Sequence, residues 1–171
     1  MRRMSAFAAA VIVGAACATV GAARPGAARA EGQGFQGCYG FGRVAMAPGV
    51  TMSPQDGTVH FTQNLGPCRL SDPGILSGTL AGTGQGRFSC AAGQGTARFL
   101  ARWENGRTSA GTFSFGTLGS HLAGHGTVTE GEFAGDHFGI GGELDPSHPS
   151  ACASGGVTEA TSYESIGVSP G

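Results

Sequence analysis

The sequence predicts an all-β fold: an antiparallel meander of about 8–9 short strands closed into a small β-barrel and stapled by two disulfides. Short runs alternate apolar with small or polar residues, and Gly, Pro, Asn or Asp punctuate them, which is the period of half-buried strands. No window carries a helical period, and the 33 glycines of the chain disfavour helices further. Glycines also fall inside the strand-like runs, at Gly78, Gly82, Gly111, Gly124, Gly126, Gly135 and Gly139. Glycine is tolerated there where a sheet bends sharply or a large side chain comes close. Strong curvature favours the barrel over the alternative, a two-sheet β-sandwich.

Residues 1–30 read as an export signal. Met1-Arg2-Arg3 is a short basic start, Ala6 to Ala23 is mostly Ala, Val, Ile and Gly, and Ala28-Arg29-Ala30 places small residues where a signal peptidase cuts. The alternative is a lipid anchor at Cys17, after Gly14-Ala15-Ala16. The expected product is residues 31–171, a single secreted β domain. It retains four cysteines, Cys38, Cys68, Cys90 and Cys152, an even number that reads as two disulfides in an exported chain. Four cysteines allow three pairings. Order along a meander favours Cys38–Cys68 and Cys90–Cys152.

The expected strands, in order, begin with Phe41–Met46, Thr58–Asn64, Ile75–Gly82 and Arg87–Cys90. Gly82-Thr83-Gly84-Gln85-Gly86 and Gly93-Gln94-Gly95 read as flexible turns. The sharpest local unit is a hairpin of 97–104 and 107–115 around Asn105-Gly106, a pair suited to the positive φ of a two-residue type I′ turn. That turn predicts Glu104 opposite Arg107 and Trp103 opposite Thr108. The expected strands Leu122–Thr129, Phe133–Leu144 and Val157–Val168 complete the meander, with a longer loop at Asp145–Pro149.

Several segments together carry a resemblance: Leu65-Gly66-Pro67-Cys68 with Ser71-Asp72-Pro73, Ser77-Gly78-Thr79-Leu80, Trp103-Glu104-Asn105-Gly106-Arg107-Thr108-Ser109, and Gly131-Glu132-Phe133-Ala134-Gly135-Asp136. Over about residues 38–160 the chain resembles a group of small, Gly/Thr-rich secreted β proteins of actinobacteria. The resemblance implies an exported β domain and transfers no catalytic residue.

Charge narrows the partners. Residues 31–171 hold six Arg, no Lys and eleven Asp or Glu, a net charge of −5 with His neutral. A nucleic-acid surface needs clustered positive charge, so that class is disfavoured. No apolar run after position 31 is long enough for a transmembrane helix. The expected partner is a small ligand, a glycan or a protein.

Catalytic candidates are sparse. The glycine-rich turns of the chain precede no helix that would hold a dinucleotide, and no cofactor or metal is expected. His121 and His125 lie four apart on one strand, about 13 Å along it, too far for one zinc ion. Across the turn at Glu130-Gly131, a two-residue loop places His125 opposite Asp136, and a three-residue loop places His125 opposite His137. The first gives a His–Asp pair that a small secreted hydrolase could use, with Glu130 and Glu132 near by. The second gives a two-His site. Trp103, beside its turn, is a core anchor or an exposed platform for a sugar. Phe61, Phe88, Phe99, Phe113, Phe115, Phe133 and Phe138 are expected in the core, with a few lining a cavity at the barrel mouth. The principal expectation is therefore a non-catalytic binding or envelope-associated protein.

Overall fold

The computed structural model describes residues 36–171; the expected signal segment and Cys17 lie outside the described residues. Eight strands run in chain order and close on themselves: β1 (Gly37–Val50), β2 (Gln55–Arg69), β3 (Gly78–Phe88), β4 (Ala92–Trp103), β5 (Thr108–Leu118), β6 (His121–Gly131), β7 (His137–Pro146) and β8 (Val157–Ser169). Every strand pairs antiparallel with its sequence neighbour, and β1 closes on β8. The expected barrel is the fold observed. Between β7 and β8 lies one 3₁₀ turn, Pro149–Ala153.

The interior is built by matching each large ring with a glycine on the next strand. Phe61 of β2 lies opposite Gly82 of β3, which in turn lies opposite Phe99 of β4 and, beyond it, Gly111 of β5. Phe113 and Phe138 flank Gly126 in the same way. A methyl group on Gly111 would sit 2.8 Å from the Phe99 ring, and one on Gly82 would fall within the Phe61 ring. The small residues thus make room for rings that lie flat across neighbouring strands, the large-with-small alternation of a tapered interior. The rings then meet one another. Phe99 and Phe138 stack with centroids 4.6 Å apart, and Phe113 touches Phe138 at 5.3 Å. Such pairs add roughly 0.5–1.5 kcal/mol each beyond area burial.

Two segments expected as flexible turns are regular strand. Gly82–Gly86 lies within β3 and Gly93–Gly95 within β4, with Gly84 opposite Ala97 and Gly86 opposite Gly95. The expected separate strand Arg87–Cys90 is the end of β3 followed by its turn, which reduces the count to eight. Two further strands start later than expected. Ile75 belongs to the β2–β3 loop, where it plugs the barrel end almost completely buried. Phe133–Asp136 form a turn, with φ 65° at Phe133 and 96° at Gly135, so β7 begins at His137.

The Asn105-Gly106 hairpin forms with a one-residue difference. Arg102 opposes Thr108, so Trp103 stands against Arg107, and Glu104, Asn105 and Gly106 make a three-residue loop. Only Gly106 takes positive φ, at 82°, where a type I′ turn needs two such residues. The Glu104–Arg107 pair is therefore not formed. The Glu104 carboxylate instead accepts from the Leu76 N–H at 2.7 Å and the Ser77 hydroxyl at 2.6 Å. These donors hold it below the usual carboxylate range, the Ser77 hydroxyl first. Arg107 bridges Asp72 and Glu132, each at 2.9 Å, tying three loops together at this end of the barrel.

The disulfides are Cys38–Cys68 and Cys90–Cys152. The first joins β1 to β2 at the end packed by Ile75, Leu80 and Trp103. The second ties the β3–β4 turn to the 3₁₀ turn at the opposite end.

Candidate functional site

The two ends of the barrel are filled differently. One holds the continuous aromatic and aliphatic core. The other, framed by Val44, Val50, Val59 and Phe88, surrounds a cavity of about 330 Å³. Phe61, Phe88, Phe113 and Phe115 supply much of its wall. This volume is roughly twice the ~150 Å³ that accommodates benzene in an engineered core, and it falls at the small end of ligand pockets. Cys90 and Cys152 also line it, so the second disulfide lies at the cavity mouth. The Cys90 N–H donates to the Thr51 carbonyl at 2.8 Å, and the Met52 N–H to the Cys152 carbonyl at 3.3 Å. Three loops at the mouth are thereby held to one another.

One ionisable side chain lines this apolar space. Glu164, on β8, is only 6% exposed. Along β8 it sits between Ala160, which lines the cavity, and Ile166, which belongs to the packed core. On β2, Gln63 occupies the matching level between Phe61 and Leu65. Glu164 thus forms the polar floor of the cavity, with Gln63 hydrogen-bonded to it.

Glycine again makes the arrangement fit. Gly42 of β1 pairs with Gln63 on one side and Ser162 on the other. With no side chain at Gly42, the Gln63 amide reaches across β1 and donates to the Ser162 hydroxyl oxygen at 2.6 Å and to Glu164 Oε1 at 3.1 Å. A methyl group on Gly42 would sit 2.7 Å from Gln63 Oε1. Glu164 lies between Gly40 of β1 and Gly142 of β7, and a methyl group on Gly142 would sit 3.0 Å from its Cγ. Both amide hydrogens of Gln63 are engaged. Its Oε1 and Glu164 Oε2 are buried without a hydrogen-bond partner among the described residues. Burial pushes the Glu164 carboxyl up to about 7, with the Ser162 hydroxyl offsetting part of the rise.

The residues singled out from sequence lie elsewhere. β6 and β7 set His125 against Gly139 and His137 against Thr127. Neither the His125–Asp136 nor the His125–His137 pairing forms, because Val128 to Asp136 make a longer turn than either expected loop, with the Val128 N–H donating to the Asp136 carbonyl at 3.0 Å. His125 and His137 are exposed on the outer face. Glu132 is committed to Arg107. His121 stands 3.5 Å from Glu143, also at the surface. Among the described residues, no three of His, Cys, Asp and Glu gather where they could hold a metal ion. Trp103 is 8% exposed, and its indole N–H donates to the Ser109 hydroxyl at 2.8 Å. It is a core anchor at the closed end, its ring against Phe133, and offers no exposed platform for a sugar.

The polar floor is the part that sequence reasoning missed. A faint signal was present. In Ile166-Gly167-Val168, the alternation counted back from Ile166 places Glu164 and Ser162 inside. The more conspicuous Tyr163 then points outward, where it meets Phe41 of β1 with ring centroids 5.1 Å apart. On these two strands aromatic residues face out while glycine and polar residues face in, the reverse of the usual rule.

The chain matches no protein-family model, no curated protein and no solved structure in comparisons with each. Its functional reading therefore rests on the barrel itself.

Proposed function

We propose that this protein is a secreted, non-catalytic binder that holds a small apolar molecule inside its barrel. The observation carrying this reading is the 330 Å³ cavity walled by four phenylalanines. A closed barrel can bury its interior completely with side chains, and this one does so at only one end. Burial of an apolar guest in such a space is favourable at roughly 25 cal/mol per Å² of apolar surface removed from water. The leader-like residues 1–30 and the two disulfides support release into an oxidising compartment. No helix among the described residues is long and apolar enough to cross a membrane.

Naphthalene, a flat two-ring hydrocarbon scaled to this volume, is a suitable probe. Titration into the ¹⁵N-labelled protein is expected to shift the amide signals of Val44, Val59 and Ala160 and leave those near Trp103 unchanged. Val59→Phe, which places a ring in the cavity, is expected to abolish the shifts while preserving the thermal midpoint. Absence of binding by the wild-type protein, or equal binding by the folded Val59→Phe variant, would overturn the proposal.

A further inference from the structure

The geometry points to a particular ligand class for this cavity: a small apolar molecule carrying one protonated amine, which would pair with Glu164 at the cavity floor. The inference rests on the binding reading above and adds the chemistry of the guest.

First, the unspent hydrogen-bonding capacity of the Gln63–Glu164 pair is that of an acceptor. Gln63 Nε2 already donates to Ser162 and to Glu164 Oε1, whereas Glu164 Oε2 and Gln63 Oε1 have no hydrogen-bond partner among the described residues. Buried polar atoms are normally satisfied, and two unpartnered acceptor oxygens call for a donor. Second, Glu164 lines the cavity at 6% exposure, so its side chain borders the space of a guest rather than bulk solvent. Third, the surrounding wall suits a cation. Phe61, Phe88, Phe113 and Phe115 present aromatic rings around the same space, and the negative faces of such rings attract ammonium groups. A carboxylate-bearing guest would meet Glu164 with like charge and find no free amide donor on Gln63.

Glu164 has no competing charge at its level. The inward positions packed against it are Gly40 and Gly42 on β1, Gln63 and Leu65 on β2, Ile140 and Gly142 on β7, and Ser162 and Ile166 on its own strand. None of these titrates, and Glu164 is the sole ionisable residue lining the cavity among the described residues. Its carboxyl, raised to about 7 by burial, ionises in the range where an alkylamine is still protonated. Binding through the charged pair therefore weakens on acidification. If only the carboxylate form binds, occupancy follows the ionised fraction, and affinity falls about tenfold from pH 8 to pH 6.

Three probes of nearly equal size test this: 2-phenylethylamine, its hydrocarbon isostere propylbenzene, and the anion phenylacetate. Affinities for the full barrel with intact disulfides are measured by NMR titration at pH 6, 7 and 8. At pH 8, 2-phenylethylamine is expected to bind at least tenfold more tightly than propylbenzene, and phenylacetate more weakly than either. Only the amine should lose about tenfold by pH 6. Glu164→Gln should lose the amine preference together with its pH dependence. The wild-type pH profile stands as an independent readout if that variant folds poorly. If propylbenzene binds and the amine is no tighter or shows no pH dependence, the amine assignment fails and the cavity reading survives. If the folded Glu164→Gln variant retains the preference, the assignment to Glu164 fails. If none of the three binds, both readings fall.

Discussion

Replacing Glu164 by Gln is expected to remove a specific pH dependence from the stability of the barrel. The carboxyl ionises at about 7 in the folded protein and near 4.5 in its ordinary environment. Because Glu164 is 6% exposed, solvent does little to relieve the cost of charging it. Below pH 4.5 both folded and unfolded chains carry the proton, and the stabilising difference is fully present. As pH rises from 4.5 to 7 the unfolded chain releases its proton while the folded chain retains it, so stability declines. At about 1.36 kcal/mol for each pH unit separating the two ionisations, the loss amounts to roughly 3 kcal/mol and is complete by about pH 8. The amide of Gln cannot ionise and keeps most of the shape. Urea unfolding, with disulfides intact and Trp103 fluorescence as the probe, is measured for both proteins between pH 4.5 and 8. The stability of Glu164→Gln relative to wild type is expected to rise by roughly 3 kcal/mol across that range. All other titrating groups are common to both proteins and cancel in the difference. A difference that stays constant to within about 0.5 kcal/mol would refute the claim that burial, unrelieved by a partner on Oε2, controls this carboxyl.

Two further outcomes follow from the packing. Replacing Cys90 and Cys152 by Ser opens a loop of 62 residues and is expected to cost about 4 kcal/mol on the chain-entropy account. Opening the 30-residue Cys38–Cys68 loop should cost slightly less, about 3.6 kcal/mol, and urea midpoints of the two double variants check the order. Phe113→Ala removes a ring that meets Phe61, Phe99, Phe115 and Phe138. Calorimetry should register a loss of about 3–5 kcal/mol, and a loss under about 1 kcal/mol would show that the aromatic network does not hold the barrel interior together.

Much of the barrel was legible because β patterning and meander order are local properties. Alternation placed Phe99 and Phe113 in the core, where both are buried, and sequential connectivity favoured the two disulfides that form. The Gly82–Gly86 segment misled because glycine-rich sequence looks like a turn when read alone. Its strand identity comes from Phe61 and Phe99, which lie opposite Gly82 on the strands to either side. At the hairpin, Asn105-Gly106 signalled the turn correctly but not its length. Arg107 is held by Asp72 and Glu132, residues 35 and 25 positions away, so distant partners accompany the one-residue difference. The longer Phe133–Asp136 turn separated His125 from both of its expected partners in the same way.

The sequence alone determined that the chain would be an antiparallel β meander with paired cysteines, since period-two patterning, turn residues and cysteine number are written along one dimension. Only the tertiary structure decided what the interior would be. Closure brought β8 against β1 and placed Glu164 beside Gly40, and Gln63 within reach of Ser162 across Gly42. Gln63 and Glu164 are 101 positions apart, and no local pattern encodes their meeting. The functional reading depends on that meeting because burial converts an ordinary glutamate into a carboxyl with a raised ionisation point, set into a mostly apolar cavity.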